Sequence, residues 1–159
     1  MRAWLLPLLL LIPACSQAAA PAAAPAVAQP AVHPVSGLPV IPLTATPPNG
    51  KPHVFRVEVA ATPAQQERGL MFRTSMGADE GMIFPYTPPQ GVAFWMKNTV
   101  IPLDIIFIGV DHRVINIAAN ATPYSEATLP SNAPAIGVLE LNGGRAAQLG
   151  IVPGSRIDW

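Results

Sequence analysis

Residues 17–48 include 10 Ala and 8 Pro and not one Asp, Glu, Lys or Arg. Proline fixes φ and removes a backbone donor, so at this density a helix cannot propagate. The run also lacks the repeated apolar period of a core-facing segment. Residues 16–50 are therefore expected to form a disordered, partly polyproline tether with a reach on the order of 100 Å at ~3.1 Å per residue. The remainder, residues 51–159, is then a single domain, large enough for one compact core and too small for two.

Ahead of the tether, residues 1–15 read MRAWLLPLLLLIPAC. One Arg followed by an apolar stretch over residues 4–12, short of the ~20 residues a spanning helix needs, is the pattern of a signal peptide. Its end, Ile12-Pro13-Ala14-Cys15, resembles the lipobox of bacterial lipoproteins, in which a small residue precedes a Cys whose thiol receives a diacylglycerol. Cys15 is the only Cys in the chain, so no disulfide is expected within the mature protein. Ser16 stands where an Asp would mark inner-membrane retention. The resemblance thus implies an outer-membrane lipoprotein facing the periplasm, with the membrane as a partner through Cys15. Pro13 departs from the usual pattern, and ordinary cleavage near Ala18-Ala19-Ala20, releasing a soluble periplasmic protein, is the alternative.

Charge narrows the function classes. Nine Lys+Arg balance nine Asp+Glu, and charged residues make up only 11%. Nucleic acid is held by clustered Lys and Arg, and no such cluster occurs, so it is not an expected partner.

Within the domain, Phe55-Arg56-Val57-Glu58-Val59 alternates apolar with charged residues, as in a strand with one buried and one wet face. Thr62-Pro63-Ala64-Gln65 combines an N-cap, Pro at the first helical position and Gln at the third, a capping box that starts a helix running toward Gly69. Apolar runs of strand length follow at residues 81–84, 92–96, 103–108, 114–118 and 136–141. Residues 109–113 form a hairpin turn between two of them, with His112 solvated in the turn. Residues 144–149 read as a short helix stopped by Gly150, and Arg156-Ile157 as a last strand. The fold class is α+β: a curled, mostly antiparallel sheet or small β-barrel with two short helices.

Polar residues set among apolar ones mark the places where chemistry could reside. Arg68 and Arg73 flank the end of the first helix, where a cation also suits the helix dipole. Lys97, Asn98 and Asp104 interrupt the apolar stretch that begins Phe94-Trp95-Met96, and Glu140 lies between two Leu. A buried charge must be paired, so Asp104 is expected to face Lys97, an Arg or backbone N–H groups. In the functional reading Arg68 or Arg73, Lys97, Asp104 and Glu140 converge beside Phe94 and Trp95 as a polar pocket with an aromatic wall, suited to a small amphipathic ligand. In the bland reading the same groups pair with one another and hold the fold. Met71, Met76, Met82 and Met96 could supply thioethers to Cu(I), yet their spacing fits no compact ligand motif and core filling is the simpler account. No metal ligand set, cofactor motif, Cys nucleophile, G-x-S-x-G elbow or H-E-x-x-H is found in the domain, so no cofactor is expected.

The ordered set Gly69-Leu70-Met71-Phe72-Arg73, Gly81-Met82-Ile83-Phe84, Phe94-Trp95-Met96-Lys97-Asn98-Thr99, Ile101-Pro102-Leu103-Asp104 and Val138-Leu139-Glu140-Leu141 resembles the domain of unknown function 192 family. The resemblance implies a compact α+β domain, often exported in bacteria, with no established activity, and it adds Met71 to the candidates above without assigning roles. Asp111-His112 departs from the usual acidic residue plus Gly of that turn, so either His112 takes a strained turn conformation or the hairpin differs slightly. The functional expectation is a non-enzymatic, lipid-anchored periplasmic domain that binds a small molecule or an envelope protein. The alternatives are an envelope-acting enzyme with Asp104 or Glu140 as acid or base, which requires a carboxyl of strongly shifted pKa in a cleft, and an accessory assembly protein working through a sheet edge.

Overall fold

The computed structural model describes residues 31–159, so the signal segment and Cys15 lie outside the described residues. Ten strands and two helices follow in order: β1 (Ala31–Val32), β2 (Pro39–Thr46), β3 (His53–Val59), α1 (Pro63–Arg68), β4 (Glu80–Gln90), β5 (Ala93–Phe94), β6 (Leu103–Ile108), β7 (Val114–Ala121), β8 (Leu129–Pro130), β9 (Ala135–Asn142), α2 (Arg145–Leu149) and β10 (Arg156–Asp158). No helix among the described residues is long and apolar enough to cross a membrane.

The main sheet runs β1-β2-β3-β4-β9-β6-β7, with β10 also pairing β2, and β5 pairs β8 in a separate ribbon. The sheet is mixed: β3 and β4 are parallel, joined through α1, and its other pairs are antiparallel. The fold is broadly α+β, but the closed barrel is not formed. Strand β10 has only three residues, all committed to β2, and it reaches the β7 side through a single bridge between Arg113 and Arg156.

Alternation along the central strands sends side chains into two cores. Ile83, Ile106, Ile108, Leu139 and Leu141 join Leu43, Phe55, Val57 and Ala146 of α2 on one face. Met82, Phe84, Ile105, Phe107 and Val138 join Leu70 and Met96 on the other. All six residues of β6 are buried, which is why its sequence reads as a continuous apolar run rather than an alternation. Each such large apolar side chain contributes about 1.5–3 kcal/mol on burial.

Local chemistry explains the helix. Thr62 caps α1, accepting from the Gln65 N–H at 3.3 Å, while Gln65 Oε1 accepts from the Thr62 N–H at 2.9 Å, closing the capping box. The turn at residues 109–113 is present, and His112 adopts φ 61°, the left-handed conformation its position requires. Its ring is not simply solvated: Nδ1 donates to the Ile157 carbonyl at 3.1 Å and the ring lies 5.2 Å from that of Trp159.

Three further expectations are corrected. The tether does not extend to residue 50, because β2 lies in the sheet, pairing residues 40–45 with β3 and placing Leu43 and Ala45 in the core. Pro42, which cannot donate to a ladder, stands between the β1 pairing at residues 39–40 and the β10 pairing at residues 44–46, where among the described residues the outer side of β2 has no partner. Glu58 is buried rather than wet, because residues 33–36 and Arg73 cover it. The run at residues 92–96 yields only the two-residue β5; Met96 instead enters the core.

Candidate functional site

The sequence candidates separate into four settings. Asp104 is completely buried, on the face of β6 that looks toward α2. Its Oδ1 accepts from the N–H groups of Asn120 at 2.7 Å and Gly144 at 2.9 Å, and its Oδ2 from Ala146 at 2.7 Å. Helix α2 has no side-chain cap of its own, so Asp104 supplies from another strand what an N-cap residue would supply locally. The turn leading into α2 is built to let it: Gly144 has φ 82°, and a Cβ on Gly143 would lie 2.5 Å from Asn120 Oδ1. Asp104 thus meets backbone N–H groups, one of the partners expected, and does not meet Lys97.

Arg73 is also a structural group. Its guanidinium meets both oxygens of Glu58, at 2.9 and 3.0 Å, Ser36 Oγ donates to the same carboxylate, and His33 Nδ1 lies 3.7 Å from it. The side chain of Arg73 is 11% exposed and that of Glu58 4%. Breaking such a pair leaves a buried charge, so Arg73→Met is expected to lower stability by about 3 kcal/mol in urea unfolding. A loss below about 1 kcal/mol would mean that Ser36 and His33 satisfy Glu58 unaided.

Lys97 and Arg68 instead lie against exposed aromatics. Lys97 Nζ sits 4.9 Å from the ring centroid of Trp95 and the Arg68 guanidinium 5.1 Å from that of Phe72, both cation–π distances. Trp95 is 48% and Phe72 57% exposed. Asn98, at φ 56°, fixes the loop by accepting from the Phe72 N–H through its carbonyl at 2.8 Å, and its side-chain amide approaches Met71 Sδ at 3.8 Å. Met82 and Met96 are fully buried in the apolar core, which is the core-filling role.

Glu140 alone combines burial with an open neighbourhood. Strand β9 pairs it with Met82 of β4 and Ile105 of β6. Because β6 pairs Asp104 with Leu141, the two carboxyls point to opposite faces of the sheet. Glu140 is 5% exposed, and its Oε2 is buried with no hydrogen-bond partner among the described residues. It lines a cavity of about 190 Å³ together with Arg68 and Met71 from the end of α1, Phe84 and Tyr86 from β4, and Phe94, Trp95 and Thr99. Phe94 stands edge-on to Phe84 at 5.1 Å and to Phe107 at 6.1 Å, fixing the aromatic wall. Burial pushes the Glu140 carboxyl up from 4.5 to about 8. Burial, followed by the charge of Glu140, pushes the Tyr86 hydroxyl up to about 12.

Of the candidates, Arg68, Met71, Phe94, Trp95 and Glu140 come together here, whereas Arg73, Lys97, Asn98 and Asp104 do not line this cavity. Lys97 and Asn98 border a shallower depression on the outer side of Arg68 and Trp95. Tyr86 and Thr99 join the site without having been expected. Tyr86 lies beyond Pro85, where the apolar run stops in sequence but β4 continues.

An α+β domain with a sheet buried on both faces and a carboxyl-floored, aromatic-walled cavity on one of them is the class these features define. The chain belongs to DUF192, a family described as Uncharacterized ACR, whose model matches residues 44–159. It is 60% identical to a protein of unknown function from Novosphingobium aromaticivorans DSM 12444, with 84% of this chain and 94% of that one covered and a TM-score of 0.80. It is 40% identical to a protein from Sinorhizobium meliloti 1021 whose name suggests a transcription regulator, with coverage of 76% and 94% and a TM-score of 0.74. No curated protein matches the chain.

Proposed function

We propose that this protein is a non-enzymatic, small-ligand-binding domain of the bacterial envelope whose binding site is the Glu140 cavity. The observation that carries this reading is the unpartnered Oε2 of Glu140 at the floor of a cavity walled by Phe84 and Phe94. A buried polar atom without a partner costs about 1–3 kcal/mol, and a bound polar group would recover that cost. Glu140→Gln keeps the shape and alters the hydrogen-bonding chemistry. A fragment set screened by thermal shift against the full chain is expected to yield compounds that stabilise the wild type and not this variant. Compounds that stabilise both equally would move the site elsewhere.

Envelope attachment rests on residues 1–15. Cys15→Ser is expected to move the protein from the membrane fraction to the soluble periplasmic fraction. Equal distribution of the two forms would favour plain signal cleavage. A nucleic-acid role of the kind the Sinorhizobium protein's name suggests gains no support from nine cationic residues balanced by nine acidic ones.

Catalysis is the second reading, favoured by one observation: Glu140 is a carboxyl of strongly raised pKa in a cleft. Binding is preferred because Asp104, the other carboxyl considered as acid or base, faces the opposite side of the sheet, while Arg68, an Arg that could stabilise developing negative charge, lines the cavity and suits either reading.

A further inference from the structure

We propose that the Glu140 cavity takes a zwitterion of amino-acid size, with its ammonium group against the Glu140 carboxyl and its carboxylate against the Arg68 guanidinium. The inference rests on the small-ligand reading above and names the ligand class. The charged groups lining the cavity are Glu67, Arg68 and Glu140. Among the described residues none of the three is in an ion pair. Opposite charges that border the same space without bonding to each other are complementary to a ligand carrying both.

The alternatives fit less well. A simple carboxylate would pass Glu67 on the way in and meet Glu140 only as a hydrogen-bond donor in its protonated form, while a simple amine would leave Arg68 unmatched and repelling. Arg68 has its guanidinium held only by the Phe72 ring, so its N–H donors remain available for a bidentate grip on a carboxylate. Phe84, Tyr86 and Phe94 offer π-faces or edges near Glu140, and an ammonium is the polar group that gains most from an aromatic surround. The volume of about 190 Å³ corresponds to roughly six water-sized groups, the size of a small amino acid.

The proton gives the class a signature. Glu140 is mostly protonated at neutral pH because burial holds its pKa at about 8. An ammonium arriving beside it favours the ionised form, so binding would release roughly one proton per ligand to the buffer.

The test is calorimetric titration of the full chain at neutral pH, in two buffers of different ionisation enthalpy. The probes are glycine and D- and L-alanine and serine, with ethylamine and propionate as the single-charge counterparts of alanine. The expected result is that at least one amino acid binds at least about tenfold more tightly than ethylamine or propionate. Its binding should release roughly a proton, and Glu140→Gln and Arg68→Gln should each weaken it by about tenfold or more while melting as folded proteins. Proton release that persists in Glu140→Gln, or equal binding of ethylamine, would overturn the assignment. Neutral fragments that bind the wild type but not Glu140→Gln, with no amino acid binding, would overturn the zwitterion and keep the cavity as a ligand site. Failure of every probe and fragment would overturn both.

Discussion

Between pH 4.5 and 8 the wild-type protein is expected to lose stability steadily relative to Glu140→Leu. The Glu140 carboxyl has its ordinary pKa of 4.5 when the chain is unfolded and about 8 when folded. In that window the unfolded chain has released the proton and the native state still holds it, so raising the pH favours unfolding by about 1.4 kcal/mol per unit. The stability of the protonated state is fully present below 4.5 and its loss is complete above about 8, for a total on the order of 5 kcal/mol. Leu fills the site with an apolar side chain of similar size and carries no proton. Taking the difference between the two proteins cancels the titration of every other group. Urea unfolding at several pH values measures it, and a difference that stays constant with pH would show that Glu140 ionises in the native state as freely as in water.

Asp104→Ala is expected to cost about 4 kcal/mol or more and to leave the Glu140 cavity intact. The substitution strands three N–H groups, those of Asn120, Gly144 and Ala146, at about 1–3 kcal/mol each. Asp104→Asn should cost about half as much, since an amide oxygen can still accept two of the three while its NH2 group opposes the third. Chemical denaturation ranks the series. A variant of normal stability that has lost ligand binding would return Asp104 to the binding site and contradict the two-faced arrangement.

What could be read from the sequence was local. The capping box at Thr62 and Gln65, the turn at residues 109–113, the strained His112 and the short helix ending at Gly150 each depend on a few consecutive residues. Partnerships across the chain could not be read. The alternation of β3 puts Glu58 on the wet face, and only the segment around His33 and Ser36 folding over it buries it; nothing in the composition of that segment marks it as part of a domain. Likewise Asp104 and Glu140 both read as acids within apolar strands. Only the pairing of β6 with β9, Asp104 to Leu141 and Ile105 to Glu140, sends one to cap a helix and the other into a cavity. Strand β2 is concealed by its prolines, of which Pro42 stands where, among the described residues, the outer side of the strand has no partner.

The floor of the cavity and its rim belong to parts of the molecule that differ in rigidity. Glu140 is carried by β9, which has β4 on one side and β6 on the other. Arg68 is carried by a six-residue helix with no buried residues, and Trp95 is an exposed side chain just beyond the two-residue β5. The floor is therefore preorganised, and the cost of ordering on binding falls on the rim. Substitutions at Glu67, Arg68, Ala93 and Trp95 can retune what enters without touching the buried Leu70 and Met96 between them, so a single scaffold could be adapted to different ligands by changing only its rim.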